Sequence, residues 1–140
     1  MNKFFYHKLK VYYEDTDAGG VVYYANYLKY IERARTESLK KIGLSNLKLK
    51  DKFGINIIVK SCSIEYIKPA HLEDKLNIKS FIKSATKTSF LMKQTIFNDE
   101  NTIIEAQIHL VFVNDKGRPT RIPGIVFDKF KPYFSRSIKI

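Results

Sequence analysis

The sequence predicts an α+β domain: an antiparallel sheet with one long helix packed on a face. Three observations carry that reading. One amphipathic stretch of about five turns stands near the N-terminus. Four β-like runs joined by short links follow it. A fifth β-like run precedes it.

The first run, from about Phe5 to Tyr13, alternates, with Leu9 and Val11 on one side and Lys8 and Lys10 on the other. The helix comes next. At about 100° per residue, Tyr24, Tyr27, Leu28, Ile31, Ala34, Ser38, Leu39 and Ile42 share one side. Gly43 follows the last turn as its C-terminal stop, and Lys40 and Lys41 complement the carbonyl end. Arg35 interrupts the apolar stripe and reads as a snorkelling side chain paired with a neighbouring acid, or else as part of a buried structural ion pair or a substrate contact.

Residues 44–53, rich in Lys, Ser and Asp, read as a loop with room for a short helical turn. From Gly54 the pattern is β again, ending near Lys68-Pro69 because proline removes a ladder donor. Alternation places Ile55, Ile57 and Val59 on one face and Ile58, Cys62, Ile64 and Tyr66 on the other. Leu76, Ile78, Ser80 and Ile82 mark a third strand, Thr88 to Phe97 a fourth, and Thr102 to Val113 a fifth. Asn98 to Asn101 make a hairpin turn, and a short helix fits Phe127 to Phe134. Sheet edges remain in this arrangement, which favours dimerisation by edge pairing.

At 140 residues the chain reads as one domain, 1–140, large enough for a real core. No apolar run approaches the roughly 18 residues of a membrane span, and the first residues lack the apolar core of a signal peptide. Cys62 is the only cysteine, which leaves no internal disulfide and no cysteine-based metal site; a cytoplasmic protein is expected. The formal charge of +11 points to a polyanionic or phosphate-bearing partner. The lysines are dispersed and no nucleic-acid-binding signature appears, so a nucleic-acid binder rests on charge alone. There is no Gly-x-Ser-x-Gly elbow for a serine hydrolase and no phosphate-binding glycine loop. His7, His71 and His109 lack ligand spacing, and no metal or bound cofactor is expected.

The chemistry concentrates in Glu14-Asp15-Thr16-Asp17-Ala18-Gly19-Gly20-Val21-Val22-Tyr23-Tyr24-Ala25-Asn26-Tyr27. Two aspartates end a strand, a Gly-Gly pair permits a tight turn, and a helix begins. Acid groups beside the positive end of a helix dipole suit chemistry on a carbonyl. On spacing alone, Asp15 and Asp17 serve equally well as caps of the turn and helix.

The stretch Val11 to Leu28, followed by Glu32-Arg33-Ala34-Arg35-Thr36-Glu37, resembles the signature of YbgC-like acyl-CoA thioesterases. These belong to the 4-hydroxybenzoyl-CoA thioesterase branch of the hotdog fold. Thr88-Ser89-Phe90 and the tail Arg118-Pro119-Thr120-Arg121-Ile122-Pro123 extend the resemblance over nearly the whole chain. It implies a five-stranded antiparallel sheet wrapped around one long helix, with chains paired into dimers and often tetramers. It implies hydrolysis of acyl-CoA thioesters to free acid and CoA, with Asp17 as the catalytic carboxylate. Asp17 would act as general base toward water or attack directly. The backbone N–H at Tyr24 would hold the thioester oxygen. Many relatives carry His where this chain has Tyr24, which motivates an alternative: a non-catalytic module that binds acyl-CoA or acyl carrier protein. Gly20, Val22, Tyr23 and Tyr27 are expected around the substrate, and Lys87, Arg118 and Arg121 on the CoA phosphates. Acyl carrier protein, strongly acidic, is a second possible partner. Glu32 is the runner-up base, though its place inside Glu32-Arg33-Ala34-Arg35 favours ion pairing, and Asp15 is a structural residue.

Overall fold

The computed structural model describes residues 3–136; Met1, Asn2 and residues 137–140, the ends of the expected 1–140 domain, lie outside it. Its elements are β1 (Phe5–Lys10), α1 (Asn26–Lys41), α2 (Asn46–Phe53), β2 (Asn56–Tyr66), β3 (Lys75–Ala85), β4 (Ser89–Phe97), β5 (Thr102–Val113) and α3 (Gly124–Phe130). The strands form one sheet in the order β1-β3-β4-β5-β2, antiparallel at every join. The expected α+β class and five-stranded sheet are therefore present. Among the described residues there are three α-helices, where the sequence reading expects one long helix, a short one near Phe127 and only a helical turn within 44–53.

Alternation fixes the buried face, because successive strand side chains point to opposite sides. Ile78, Ile82, Met92, Ile96, Ile104, Ile108 and Phe112 are buried on it and join Tyr27, Tyr30, Ile31, Ala34 and Leu39 of α1 in one core. Phe90 sits among Phe112, Phe127, Phe130 and Phe134, with ring centroids 5.0–5.9 Å away, and so ties α3 to the sheet. Gln94, fully buried, bridges sheet and helix: its Nε2 donates to Ile31 O at 3.0 Å and to Ser80 Oγ at 3.1 Å.

Several expectations are corrected. The first strand stops at Lys10, not Tyr13. There Asp15 Oδ2 accepts from Tyr12 N at 3.0 Å, and a short 3-10 turn over Tyr13–Asp15 replaces the ladder. The helix starts at Asn26 rather than Tyr24. Tyr24 and Leu28, assigned to its buried stripe, are 61% and 47% exposed, because the stripe centres on Tyr27, Tyr30, Ile31 and Ala34. The segment read as a loop over 44–53 is the two-turn helix α2. Ser45 caps it, Oγ accepting from Lys48 N at 3.0 Å, and Gly54 stops it at φ +66°. The last helix begins at Gly124, three residues before Phe127, and gives way to a 3-10 turn over Lys131–Tyr133.

The most consequential correction lies in β2. A bulge between Val59 and Ser61 inserts one residue and reverses the alternation. Ile57 and Val59 pair with Phe112 and Leu110, while Cys62, Ile64 and Tyr66 pair with Ile108, Ala106 and Ile104. All five therefore face α1, where strict alternation divides them between two faces. β2 is an edge strand, and Val59, Tyr66 and neighbouring Ile67 stay 43–50% exposed along it.

Candidate active site

The loop between β1 and α1 is held by its own backbone. Asp17 N donates to Val21 O at 2.9 Å and Gly20 N to Asp17 O at 3.1 Å, closing a tight turn. Gly20 occupies the left-handed region at φ +79°, where L side chains are strained. Gly19 N donates to Asp17 Oδ1 at 2.8 Å, and a Cβ on Gly19 would stand only 3.3 Å from that oxygen. The two glycines thus let the backbone grip one carboxylate oxygen of an otherwise exposed aspartate.

Asp15 has a different task. Its carbonyl accepts from Tyr23 N at 2.9 Å and from Asn26 Nδ2 at 2.8 Å, while its carboxylate caps Tyr12. The buried Tyr30 hydroxyl lies near that carboxylate; burial first, and Asp15 second, push its pKa up.

These bonds deliver the chain to α1 without capping it. Ala25 stands at the N-cap and supplies no side-chain acceptor. The N–H groups of Tyr24 and Ala25 have no acceptor among the described residues, so both are open at the positive end of the helix. Asp17 and this pair of donors stand at the two ends of one short loop.

Beside the helix start is a cleft of about 260 Å³ lined by Val22, Tyr24, Tyr27, Tyr66, Ile67, Lys68 and Pro69. Tyr24 meets Tyr66 edge to face with ring centroids 6.3 Å apart, Tyr27 lies tilted against Tyr66 at 5.9 Å, and Tyr23 lies 4.8 Å from Tyr24. Tyr27 is buried and its hydroxyl accepts from Ala70 N at 3.1 Å, so it braces the cleft. Of the expected substrate residues, Val22 and Tyr27 line this cleft with Tyr24, Tyr23 packs on Tyr24, and Gly20 lies with Asp17 in the preceding turn, outside the cleft's lining.

Lys87, Arg118 and Arg121 are exposed and lie elsewhere. Ile122 N donates to Lys87 O at 2.9 Å and Asn114 N to Arg118 O at 2.8 Å, placing the three cations where β4 begins and β5 ends. That is the Asn56 end of β2, whereas the cleft sits at its Tyr66 end. At about 3.3 Å per residue, a distance on the order of 30 Å separates the two groups within one chain.

A second space, an apolar cavity of about 150 Å³, lies at the Asn56 end beneath α1 and α2, with Ile57, Val59, Phe90, Met92, Leu110 and Phe112 in its wall. Arg35 and Glu32 also reach it. Sequence periodicity misses it because residues 44–53 show at most a short helical turn and strict alternation conceals that Val59 faces inward on the same side as Cys62. Arg35 has no carboxylate within 4.0 Å among the described residues, so the expected acid pairing is absent; its Nη1 donates to Gln94 Oε1 at 3.0 Å. Glu32 is exposed and accepts from Thr36 Oγ1 at 3.5 Å. The three histidines stay apart, on β1, before β3 and on β5, and no His, Cys, Asp or Glu cluster suited to a metal forms among the described residues.

Residues 11–131 match the family model of the thioesterase-like superfamily. The chain belongs to that superfamily. Within it, the chain is 42% identical over 125 residues to the acyl-CoA thioester hydrolase YbgC of Escherichia coli O6:H1, covering 88% of this chain and 92% of that one. It is 34% identical to the acyl-CoA thioesterase YbgC of Haemophilus influenzae, over 82% of this chain and 85% of that one. The crystal structure of a probable thioesterase from Bartonella henselae superposes with a TM-score of 0.81 at 32% identity, covering 86% of this chain and all of that one. Superfamily membership agrees with the resemblance in the Asp17 stretch and with the sheet topology. Among the described residues no helix is long and apolar enough to cross a membrane.

Proposed function

We propose that the protein hydrolyses acyl-CoA thioesters to the free acid and CoA, with Asp17 as general base or nucleophile. The observation that carries this reading is that one short loop presents an exposed, backbone-gripped Asp17 and leads directly to two open N–H groups at the uncapped start of α1. Donors fixed in place before reaction stabilise the developing oxyanion without reorganising, and one is worth about 3 kcal/mol. Asp17 either removes a proton from the attacking water or adds to the carbonyl to form an anhydride that water then opens. In both routes the CoA thiolate leaves. The family's YbgC relatives support the acyl-CoA substrate class.

The working unit in this proposal is a dimer joined along the free edge of β2. An edge strand with unpaired backbone groups and exposed Val59, Tyr66 and Ile67 is built to be covered. Two-fold pairing runs the β2 strands antiparallel. One copy's Tyr66 end, with its Asp17 loop, then meets the other copy's Asn56 end, with Lys87, Arg118 and Arg121. The distance that separates these groups in one chain is thereby closed between two, and the cations reach the CoA phosphates. Pairing of dimers into a tetramer and use of acyl carrier protein as an alternative carrier are compatible with the same charge distribution. A lone Cys62 suits a reducing, cytoplasmic setting.

The test is thiol release from a panel of acyl-CoAs by wild type and Asp17→Asn. The variant is expected to keep its circular dichroism spectrum and lose at least about a hundredfold in kcat, as for loss of a general base. Near-wild-type turnover by Asp17→Asn would sink the assignment. Saturable acyl-CoA binding with no thiol released by wild type would point instead to a binding module.

A further inference from the structure

The apolar cavity under α1 and α2 contains a cation with little to do. Arg35 projects from the inward side of α1 into a mostly apolar wall that includes Leu39, Ile57, Val59, Phe90, Met92 and Phe112, and that Glu32, Thr36, Ser38 and Asn46 also line. A guanidinium carries five N–H donors in a planar fork. Here one donates to Gln94 Oε1, at 3.0 Å, and no other acceptor is recorded for it among the described residues. Gln94 is held in that orientation because its amide nitrogen donates to Ile31 O and Ser80 Oγ, which turns Oε1 toward Arg35. The result is a half-buried charge, locked on one edge by a fully buried amide, with the rest of its fork turned to an apolar space. Burial pulls the guanidinium pKa down, and the largest influence opposing that pull is Glu32, which is exposed and outside ion-pair distance.

We propose that this cavity is the acyl pocket and that Arg35 selects acyl groups ending in a carboxylate. The inference rests on the thioesterase reading above and adds the substrate's second functional group. Three features support it. The volume, about 150 Å³, is that of a cavity that holds benzene, so it accommodates about six non-hydrogen atoms. A five-carbon diacid half-thioester places that number beyond its thioester carbonyl. The planar fork matches a carboxylate through two parallel hydrogen bonds, where a neutral methyl end leaves the donors unsatisfied. Finally, Ile57 and Val59 of β2 form part of the wall, at the strand end that two-fold pairing brings beside the other copy's Asp17 loop. A thioester held at one copy's helix start therefore extends its acyl group into the neighbouring cavity. Arg35 is a specificity residue in this scheme: it touches the acyl end and takes no part in bond breaking.

The experiment compares kcat/KM for glutaryl-CoA and hexanoyl-CoA, matched in length beyond the carbonyl, in wild type, Arg35→Met and Arg35→Lys. Wild type is expected to favour glutaryl-CoA. Arg35→Met is expected to lower the glutaryl-to-hexanoyl ratio at least about tenfold, and Arg35→Lys, which keeps the charge but not the fork, to retain an intermediate ratio. The ratio is the readout because a merely structural loss of Arg35 lowers both rates together. Hydrolysis of hexanoyl-CoA with a ratio unmoved by Arg35→Met, or a wild type that disfavours glutaryl-CoA, overturns the inference and leaves the thioesterase standing. No hydrolysis of any acyl-CoA by wild type overturns both. Melting curves of the variants separate lost specificity from lost fold, and Arg35→Lys carries the comparison if Arg35→Met fails to fold.

Discussion

At the scale of single residues, the site depends on backbone freedom as much as on acid groups. Gly20 at φ +79° turns the loop so that its neighbours grip Asp17, and nothing stands within 4 Å of where its Cβ would be. Replacing it with alanine therefore costs backbone strain alone, about 1–2 kcal/mol. Gly20→Ala should lower urea-unfolding stability by that amount and reduce kcat, because Asp17 shifts with the turn. Gly20→Asn, better suited to the left-handed region, should lose less of both. Equal losses in the two variants would show that bulk, not backbone strain, governs the turn. The Asp-x-Asp-x-x-Gly pattern made Asp17 and this turn legible in the sequence, since both are local. The commitment of the Tyr27 hydroxyl to Ala70, 43 residues away, was not, because a partner so distant in sequence leaves no spacing to read.

At the scale of elements, β1 and α1 meet over a histidine. His7 lies on the inward side of β1 and faces Glu37, Lys41 and Arg33 of α1. Burial is the largest influence and lowers its pKa below the ordinary 6.5; Lys41 and Arg33 act the same way and Glu37 opposes them. The folded state thus binds fewer protons at this site than the unfolded chain, and stability falls as the pH drops through the unfolded value toward the folded one. Melting temperature should decline between about pH 7 and 5.5 in wild type, with a shallower slope in His7→Gln. Identical slopes would remove His7 as the cause. The elements themselves were largely legible: period-two patterns located all five strands, and the 3.6-residue stripe located α1. α2 was not, because its apolar residues are few and its evidence lies in its ends, Ser45 and Gly54. The facing of β2 was lost to one inserted residue, which no count of alternation anticipates.

At the scale of the whole molecule, a strand with one free edge divides the chemistry between its ends. Asp17 and the open helix start lie at one end of β2; the apolar cavity, Arg35 and the basic trio lie at the other. The sequence reading grouped Asp17 and the helix start with Lys87, Arg118 and Arg121 because linear order carries no information about which end of a sheet each occupies. In the proposed dimer, paired through β2, each site is made from two chains. The most direct test mixes two separately impaired proteins, Asp17→Asn and a Lys87→Glu/Arg118→Glu/Arg121→Glu variant, under conditions that exchange subunits. Thiol release is then measured at limiting acyl-CoA. Heterodimers contain one site with both halves intact, so the mixture should regain activity that neither parent shows. Activity that stays at the average of the parents, with heterodimers confirmed by native mass spectrometry, would contradict a shared site and confine the chemistry to a single chain.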